Sequence, residues 1–456
     1  MSDRSVAGVG AGAAGLTAAL RAAAGGARVT LLNAHPKVGL KILMSGGTRC
    51  NVTHREVSER DFNAGSRPFV RRVLRAFPAD ETLRWFESLG VELKLEETGK
   101  YFPVTDDAQT VLDALLGAVA RAGVELRHGA RVVRLGREAG ARGSAAPGND
   151  AGAGSGRDGR GFRLGIQRAR NSAAFDPGEV AGHRRTAWSL PPIEPDEWLA
   201  ADAVVLATGG LSFPRTGSDG TGYALATALG HTLEPPVPAL TPLVATDAWC
   251  ADAQGLTLEA ALTLRVSGRK VATTRGSLLF AHFGYSGPAA LDLSRHWHGA
   301  EGAGERRVEA SLASGETRET LVAAWLTAGR ESPRRTVRRF LAERLPERLV
   351  ELTCRDVRVE PGERLAQVDR ERRGALIGLL VARPLPVTGT LGYEKAEVTA
   401  GGVRLSEVDP STLESRVAPG LYLCGEILDV EGRLGGFNFQ WSWSSGTVAG
   451  GAAAKR

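Results

Sequence analysis

The chain has 456 residues, of which 43% are hydrophobic and 24% charged, and it carries a formal net charge of +6. This length predicts two or three structural units, and the composition is typical of a soluble globular protein. The basic excess is mostly arginine scattered through an Ala/Gly-rich chain, so we expect no nucleic-acid partner. The sequence contains no run of about 18 apolar residues, so we also expect no membrane span.

The N-terminal residues predict a βαβ unit. Residues 6–9 form the first strand, an Ala-rich helical pattern follows over 12–24, and residues 28–32 form the second strand. Because the first strand begins so close to residue 1, we expect no cleavable secretory segment and a cytoplasmic protein. The GAGAAG run at 10–15 separates strand from helix, as a dinucleotide-binding fingerprint requires.

Each glycine of the fingerprint has a physical reason. Gly10 permits the tight turn, Gly12 lets the backbone approach a pyrophosphate, and Gly15 lets helix and strand pack closely. The second strand ends at Asn33, where this fold usually has an acidic residue that binds ribose hydroxyls. Asparagine loses the charge-assisted hydrogen bond, so we predict weaker or differently shared ribose binding. Because Asn33 is neutral and is followed by His35 and Lys37, this segment could also accept the 2′-phosphate of NADP.

Residues 39–53 are polar and contain a Gly-Gly pair, which predicts a turn whose amides and cations face phosphate groups or a flavin edge. Lys41 and Arg49 are the cations of this segment. Cys50 is a lone cysteine next to them, and we interpret it as a packing residue rather than a thiol catalyst. The chain has four cysteines and no CxxC pair, so neither a disulfide framework nor a metal site is predicted.

Residues 136–195 are predicted to be irregular loops around a short strand. Their first part is low in large apolar residues, so it cannot bury enough surface to offset its ordering entropy. A GxGxxG match at 154–159 lacks the strand and helix that the motif needs, so we assign it no function. Predicted elements outside the βαβ unit are helices over 80–90 and 110–122 and strands over 125–126, 131–135, 161–166 and 203–210.

The fold class is predicted as α/β, with one discontinuous Rossmann-like domain. Prolines 235, 236, 238 and 242 mark a boundary, and glycine-rich strand texture resumes after residue 385. We therefore predict a nucleotide-binding domain over 1–235 and 386–456, and an inserted unit over 236–385. Strand-like pieces and an Arg-rich helical stretch over 316–376 fill the insert.

The C-terminal residues are predicted to form the second half of the cofactor site, on the flavin side. A strand over 421–424 leads to Gly425 and Glu426, which with Asp429 offers acceptors to ribitol hydroxyls. The GGFNFQ run at 435–440 offers amides to an isoalloxazine rim, and a helix over 441–454 follows, with its N-terminus favouring negative charge at flavin N1. A nucleotide held from both chain ends implies a last strand that returns beside the first. It also indicates a flavin dinucleotide rather than a nicotinamide alone.

Four signatures carry a family resemblance: residues 41–53, residues 207–212 with 217–222, residues 280–288, and residues 399–403 with 420–446. They resemble the signatures of the BaiN/YhiN-like flavoproteins, also described as aminoacetone-oxidase-like FAD proteins. The resemblance implies non-covalent FAD in a discontinuous Rossmann-like domain with an inserted β-barrel and helical unit. It also implies an NAD(P)H-linked oxidoreductase, in a family with one branch that reduces steroid-type enones. The chain departs from the family at Asn33 and at Thr48, which replaces a glycine.

The predicted function is an FAD-dependent oxidoreductase that accepts hydride from NAD(P)H and passes it to a small organic substrate or dioxygen. A nicotinamide would bind transiently at the flavin face, since no second fingerprint is present. Two alternatives stay open: an FAD-containing RNA-modifying enzyme, and a flavin-binding sensor or structural protein. The catalytic group is unassigned, with His282, Arg215 and Tyr285 as candidates. The predicted cofactor-binding residues are Gly10, Gly12, Ala13, Ala14, Gly15, Asn33, Lys41, Ser45, Gly46, Gly47, Arg49, Cys50, Asn51, Val133, Thr208, Gly209, Gly210, Gly425, Glu426, Asp429, Gly436, Asn438, Phe439 and Gln440.

Overall fold

The computed structural model of the chain describes residues 4–137, 161–168, 188–190 and 192–455. The chain divides into two compact units, the first being Met1–Pro236 with Val398–Arg456 and the second Val237–Glu397. The sequence analysis assigned residues 386–397 to the nucleotide-binding domain. They lie in the second unit, because a strand among them pairs within that unit's sheet.

The elements up to residue 239 are mostly short and alternate between strand and helix. The strands are β1 (Ser5–Val9), β2 (Arg28–Asn33), β3 (Thr53–His54), β4 (Phe62–Ala64), β5 (Leu93–Leu95), β6 (Lys100–Pro103), β7 (Glu125–His128), β8 (Ala130–Arg137), β9 (Phe162–Arg168), β10 (Glu197–Ala201), β11 (Ala203–Leu206) and β12 (Leu233–Ala239). The helices are α1 (Ala13–Ala24), α2 (Leu40–Thr48), α3 (Arg67–Ala76), α4 (Ala79–Ser88), α5 (Ala108–Arg121) and α6 (Thr221–Ala228).

The remaining elements form the second unit and then complete the first. The strands are β13 (Leu243–Ala245), β14 (Thr257–Val266), β15 (Arg269–Ala281), β16 (Gly284–Ser286), β17 (Arg306–Ser311), β18 (Arg383–Leu385), β19 (Val387–Thr390), β20 (Val398–Val403), β21 (Leu421–Leu423) and β22 (Val430–Gly432). The helices are α7 (Ala248–Asp252), α8 (Pro288–Gly299), α9 (Arg318–Glu331), α10 (Val337–Leu341), α11 (Glu347–Asp356), α12 (Arg370–Ala382) and α13 (Phe437–Ala453).

The first unit is built on a five-stranded parallel sheet with the order β21-β11-β1-β2-β7. Every residue of β1, β11 and β21 is buried, as expected for parallel strands covered on both faces. The predicted return of the last strand is one position off, because β11 lies between β21 and β1. The carboxyl ends of these parallel strands share one edge, which is where ligands bind in open α/β sheets. The predicted α/β class is confirmed.

The second unit contains a seven-strand antiparallel ladder with the order β18-β17-β14-β15-β16-β13-β19. Its two end strands are consecutive in the chain and are separated only by Pro386. The segment 383–390 therefore pairs with β17 at one end and with β13 at the other, so the ladder closes on itself as the predicted β-barrel requires. The helices α9 to α12 lie in the chain between β17 and β18 and share the buried core of the barrel.

Local structure differs from a plain helix or loop in two predicted segments. A turn was expected at the Gly-Gly pair of the polar segment 39–53. Residues 40–48 form α2, and its helical backbone is interrupted at Ser45 and at the Gly46–Gly47 pair, where φ is +58° and +68°. The loops expected at 136–195 lie mainly outside the described residues, as does the GxGxxG match at 154–159, while β9 pairs with β8 and β10. No helix in the described ranges is long and apolar enough to cross a membrane.

Candidate dinucleotide site in the first unit

The glycine turn between β1 and α1 has the geometry that its sequence predicts. Gly10 has a φ of +99°, and its N–H donates to the Leu32 carbonyl at 2.8 Å. A Cβ on Gly15 would stand 1.8 Å from the Gly10 carbonyl oxygen, so only glycine allows this packing. A Cβ on Gly12, in contrast, would have no protein atom within 4 Å. The turn therefore leaves open space at the N-terminus of α1, which fits a pyrophosphate.

Asn33 connects this turn to the next loop. Its side-chain oxygen accepts from the Ala11 N–H at 3.2 Å, and its amide nitrogen donates to the carbonyls of His35 at 2.6 Å and Lys37 at 3.1 Å. An aspartate here would place a carboxylate oxygen against those two carbonyls. The loop therefore requires a neutral amide at this position. The sequence analysis considered only ribose binding and did not identify this requirement.

A polar cluster forms where four segments of the first unit meet. The Lys41 ammonium donates to Ser212 Oγ at 2.7 Å and to Glu426 at 3.0 Å. Glu426 also accepts from Ser212 Oγ at 2.8 Å and from the Thr399 N–H at 3.0 Å. The Lys41 and Glu426 side chains are 25% and 18% exposed, so the pair is partly desolvated but still reachable. We call Lys41, Ser212, Thr399 and Glu426 the lysine–glutamate cluster.

Ser212 and Thr399 are absent from the predicted site, although both lie in segments that carry the family resemblance. Thr399 Oγ1 accepts from the N–H groups of Leu211 and Ser212 at 2.7 and 3.1 Å. Ser212 and Thr399 are both fully buried. A small hydroxyl residue near a glycine pair was the available signal, but the partners of these two side chains lie about 170 residues or more away along the chain and cannot be inferred from local sequence.

Glycines let the cluster's segments approach one another. A Cβ on Gly210 would stand 2.4 Å from Thr399 Oγ1 and 2.8 Å from Glu426 Oε1. Gly209 and Gly425 have φ values of +73° and +77°, a region that favours glycine. Gly210 thus brings the loops after β11 and β21 together, while a Cβ on Gly425 would stand 2.8 Å from the Cβ of Ala14 and so would disturb the contact with α1.

The start of α13 lies against the end of the polar segment 39–53. Asn51, with its amide oriented so that the oxygen faces Gly436, accepts from the Gly436 N–H at 3.0 Å. Gly436 has a φ of +92°, and α13 begins at the next residue. The sequence analysis assigned Asn51 and Gly436 separately to the site, and the structure brings them into contact. The N-terminus of a 17-residue helix also provides positive potential near this point.

Several predicted cofactor residues have their polar groups occupied by the protein itself. Gln440 is buried and accepts from Thr53 Oγ1 at 2.6 Å, while its amide donates to the Phe77 carbonyl at 3.0 Å. Asn438 holds Gly432 through two hydrogen bonds of 2.7 and 2.9 Å. These side chains fix the backbone around the first turn of α13. Their contact with a cofactor stays a prediction.

Arg49 is also engaged. Its guanidinium donates to Glu96 at 2.6 Å and to Asp106 at 3.4 Å, and it stacks on the Phe102 ring at 4.0 Å. The two carboxylates neutralise the charge that the sequence analysis assigned to a phosphate or a flavin edge. In the same segment, the Ser45 hydroxyl donates to the Ile42 carbonyl at 2.9 Å.

Three other predicted residues have distinct surroundings. Val133 is buried at a β-bulge, because the register pairs Val132 with Ile166 and Arg134 with Gly165. Such a bulge releases one residue from the β8–β9 ladder. The Asp429 carboxylate accepts from a backbone N–H at 3.2 Å, and Phe439 stacks on an aromatic ring of α13 with centroids 5.6 Å apart. Their cofactor roles stay predictions.

The three catalytic candidates differ in exposure. Arg215 is exposed in the first unit, in a short helical turn after β11. His282 is exposed in the second unit and packs edge-on against Phe283. Tyr285 is fully buried in that unit, and burial together with its hydrogen bond to Asp247 raises the pKa of its hydroxyl. Tyr285 is therefore protonated at neutral pH, with its proton directed at Asp247.

Cys50 is buried with a φ of +60°, and burial raises the pKa of its thiol to about 12. Burial likewise raises the pKa values of the other three cysteines, and all four are free. We expect the native protein to react with none of its four thiols on the time scale in which the unfolded protein reacts with all of them. Mass spectrometry after iodoacetamide treatment, with and without guanidinium, measures this. Rapid labelling of native Cys50 would contradict the packing assignment.

The described residues therefore offer a dinucleotide an open glycine turn, a helix N-terminus and a reachable lysine–glutamate pair. These features suit FAD: the turn and α1 would hold its pyrophosphate, and Glu426 would accept hydrogen bonds from its ribitol hydroxyls. Within the same described ranges, no group of three or more His, Cys, Asp or Glu side chains could hold a metal ion.

Known proteins resemble this chain along almost its whole length. The HI0933-like protein Rossmann domain matches residues 4–149 and 184–452. A 3-dehydro-bile acid delta(4,6)-reductase of Clostridium scindens is 32% identical over 451 residues, which cover 98% of each chain. A ribosomal RNA dihydrouridine synthase of Escherichia coli is 30% identical over 437 residues, covering 96% of this chain and 94% of that one.

A solved 3-ketosteroid-delta4-(5alpha)-dehydrogenase of Rhodococcus jostii RHA1 aligns over 100% of this chain and 98% of its own, with 16% identity and a TM-score of 0.46. That similarity is too weak to bear on activity. The family match and the two full-length relatives agree with the family resemblance that the four sequence signatures indicated. The chain belongs to the HI0933-like family of Rossmann-domain proteins and is a flavin-dependent oxidoreductase.

Proposed function

We propose that the protein binds FAD non-covalently and reduces a carbon–carbon double bond conjugated to a carbonyl group, with NAD(P)H as electron donor. One structural observation carries the FAD assignment. The space at Gly12, at the N-terminus of α1, has no protein atom within 4 Å of the missing Cβ position. A dinucleotide needs this opening, because its pyrophosphate must approach the helix amides closely.

The reaction class is supported by the names of two full-length relatives. One relative is named as a delta(4,6)-reductase of a 3-dehydro-bile acid and the other as a dihydrouridine synthase. In both names the bond to be saturated is conjugated to a carbonyl, in a steroid ring or in uracil. Saturating such a bond adds hydride to the carbon β to the carbonyl and a proton to the α carbon. We therefore assign this shared chemistry to the chain without choosing the ring system.

When bound, FAD supplies the hydride-transfer chemistry, and the chain's residues position and tune it. Glu426 accepts from Ser212 and from the Thr399 N–H and pairs with Lys41, so its carboxylate is held in one position. The partly exposed Lys41 ammonium adds positive charge beside the site. The first turn of α13 contributes positive potential from its backbone amides. The proton donor is not assigned, and His282 and Arg215 stay candidates.

The test is an anaerobic titration of the purified protein, followed by its visible spectrum. We expect flavin absorption in the isolated protein, bleaching by either NADH or NADPH, and recovery of the bands when a conjugated cyclic enone is added. A saturated ketone of the same ring size is the matched control and should leave the bands bleached. In a further sample, dithionite reduces the protein before the enone is added. This sample tests the electron acceptor alone, because it contains no nicotinamide.

Three results would count against the proposal. A protein that takes up no FAD removes its basis. If dithionite bleaches the flavin but neither NADH nor NADPH does, the assignment of NAD(P)H as electron donor is wrong. If dioxygen reoxidises the reduced flavin but neither the enone nor a uridine-containing RNA does, the assigned reaction class is wrong. That result favours an oxidase or a sensor.

A further inference from the structure

The first unit carries a concave surface lined by four arginines, none of which belongs to the dinucleotide site described above. Helix α3 forms one wall with Arg71, Arg72 and Arg75, and residues 405–416 form the other with Arg416. The cavity volume is about 770 Å³, and none of the residues that line it is acidic. We call this surface the arginine groove.

The groove keeps excess positive charge after its ion pairs are counted. Arg71 pairs with Glu59 at 2.7 Å, and Arg416 pairs with Asp409 at 3.2 Å. Arg72 also interacts with Asp409 electrostatically. These two pairs leave two of the four lining guanidiniums without a carboxylate of their own on a surface that is open to solvent. Glu407 and Glu414 of the second wall do not line the groove, and each has a partner elsewhere. Arg72 and Arg75 are exposed, and in the described part of the chain neither has a salt bridge within 4 Å.

Both walls of the groove are held by hydrogen bonds. The first wall begins at Ser66, whose hydroxyl accepts from a backbone N–H of α3 at 3.4 Å. The second wall is held by a buried network: His231 joins Glu407 at 2.8 Å and Ser415 at 2.7 Å. Ser415 Oγ also accepts from the Val417 and Ala418 N–H groups at 3.1 and 2.7 Å. A ligand would therefore meet cations on a preorganised surface, which lowers the ordering cost of binding.

We propose that the arginine groove binds the phosphate backbone of RNA. Guanidinium groups bind phosphates through paired hydrogen bonds, and arginines on two facing walls suit successive phosphates of a strand better than one small anion. Exposed apolar surface of Pro68 and partly buried Pro410 between the cations suits sugars and bases. A relative of this chain that is 30% identical is named for ribosomal RNA, which makes RNA the polyanion to test first.

The groove is also close in the fold to part of the predicted cofactor site. Gly65, two residues before α3 begins, donates its N–H to the Asp429 carboxylate at 3.2 Å, and Asp429 was predicted to face the cofactor. A strand bound along α3 would thus lie near that edge of the first unit. Binding itself needs no electron transfer, so this proposal and the proposed reduction can fail independently.

The experiment is fluorescence anisotropy of a short fluorescein-labelled single-stranded RNA with the full chain over a series of KCl concentrations. The test variant carries Arg72→Gln and Arg75→Gln. The control carries Arg269→Gln and Arg275→Gln, two exposed arginines of β15, and so has the same net charge. We expect the slope of log K against log salt to become shallower by about 1.4 in the test variant, about 0.7 for each phosphate-binding cation on a single strand. We expect the control to bind like the unmodified protein.

Circular dichroism melting of both variants shows whether the fold is kept, so a loss of binding with an unchanged melting curve supports the proposal. Equal loss in the test and control variants would overturn it, because general charge would then explain binding. Failure of the unmodified chain to bind RNA at low salt would overturn it as well. So would groove-dependent sedimentation with phosphatidylserine vesicles without groove-dependent RNA binding, since the partner would then be a membrane surface.

Discussion

Replacing Gly450 with alanine is expected to lower the melting temperature of the first unit, whereas the same change at Gly451 is expected to leave it unchanged or to raise it. Gly450 lies where α13 packs against α1, and a Cβ there would stand 2.1 Å from the Ala18 carbonyl oxygen. A backbone atom cannot rotate away as a side chain does, so the helices must separate. Overpacking of this kind costs about 1–3 kcal/mol.

Gly451 is the matched control because it is the next residue of the same helix and has no atom within 4 Å of its Cβ position. Both substitutions gain helix propensity, worth up to about 1 kcal/mol, so this term largely cancels between them. The remaining difference reports the clash alone, and each kcal/mol corresponds to about 2–4 °C in a domain of this size class. Calorimetry or circular dichroism measures it. Equal melting temperatures for the two variants would contradict the close approach of α1 and α13.

Replacing Gly12 with alanine is expected to weaken FAD binding by about tenfold or more while the apoprotein stays folded. The new methyl group would meet no protein atom, since nothing lies within 4 Å of that Cβ position. It would instead occupy the space assigned to the pyrophosphate, and a clash of about 1.4 kcal/mol or more corresponds to at least a tenfold loss of affinity. Titration of the apoprotein with FAD, followed by quenching of flavin fluorescence, measures the change.

Two further variants make the Gly12 result specific. Gly136, on β8 of the same unit, also has no atom within 4 Å of its Cβ position, so Gly136→Ala should bind FAD normally. Gly15→Ala should unfold or strongly destabilise the turn, because its Cβ would stand 1.8 Å from the Gly10 carbonyl oxygen. If Gly12→Ala retained full FAD affinity, the pyrophosphate would lie elsewhere and the site assignment would be wrong.

The βαβ unit and its glycine turn were predictable because their determinants are close together in the chain. A short apolar strand, a turn that needs positive φ and an Ala-rich helix occupy fewer than 25 residues. Steric limits at Gly10 and Gly15 act over one turn of backbone, so local sequence is enough to predict them. The helices α4, α5 and α13 follow predicted helical segments within a few residues for the same reason.

The role of Asn33 was harder to predict because it depends on the path of the following loop. The sequence analysis compared Asn33 with the usual acidic residue and considered only ribose. In the fold, its amide nitrogen faces the His35 and Lys37 carbonyls, so a neutral donor is needed there. Arg49 illustrates the same limit, since Glu96 and Asp106, about 50 residues away, neutralise a cation that looked available for phosphate.

By itself, the sequence determined the α/β class, the fingerprint, the two-part nucleotide domain and the likeness to one flavoprotein family. These properties follow from hydrophobic periodicity, glycine sterics and ordered motifs, all of which are local. Only the tertiary structure decided the lysine–glutamate cluster, the closure of the barrel and the arginine groove. Each depends on contacts between segments far apart in the chain, such as Lys41 with Glu426, and one-dimensional order does not specify which distant side chains meet.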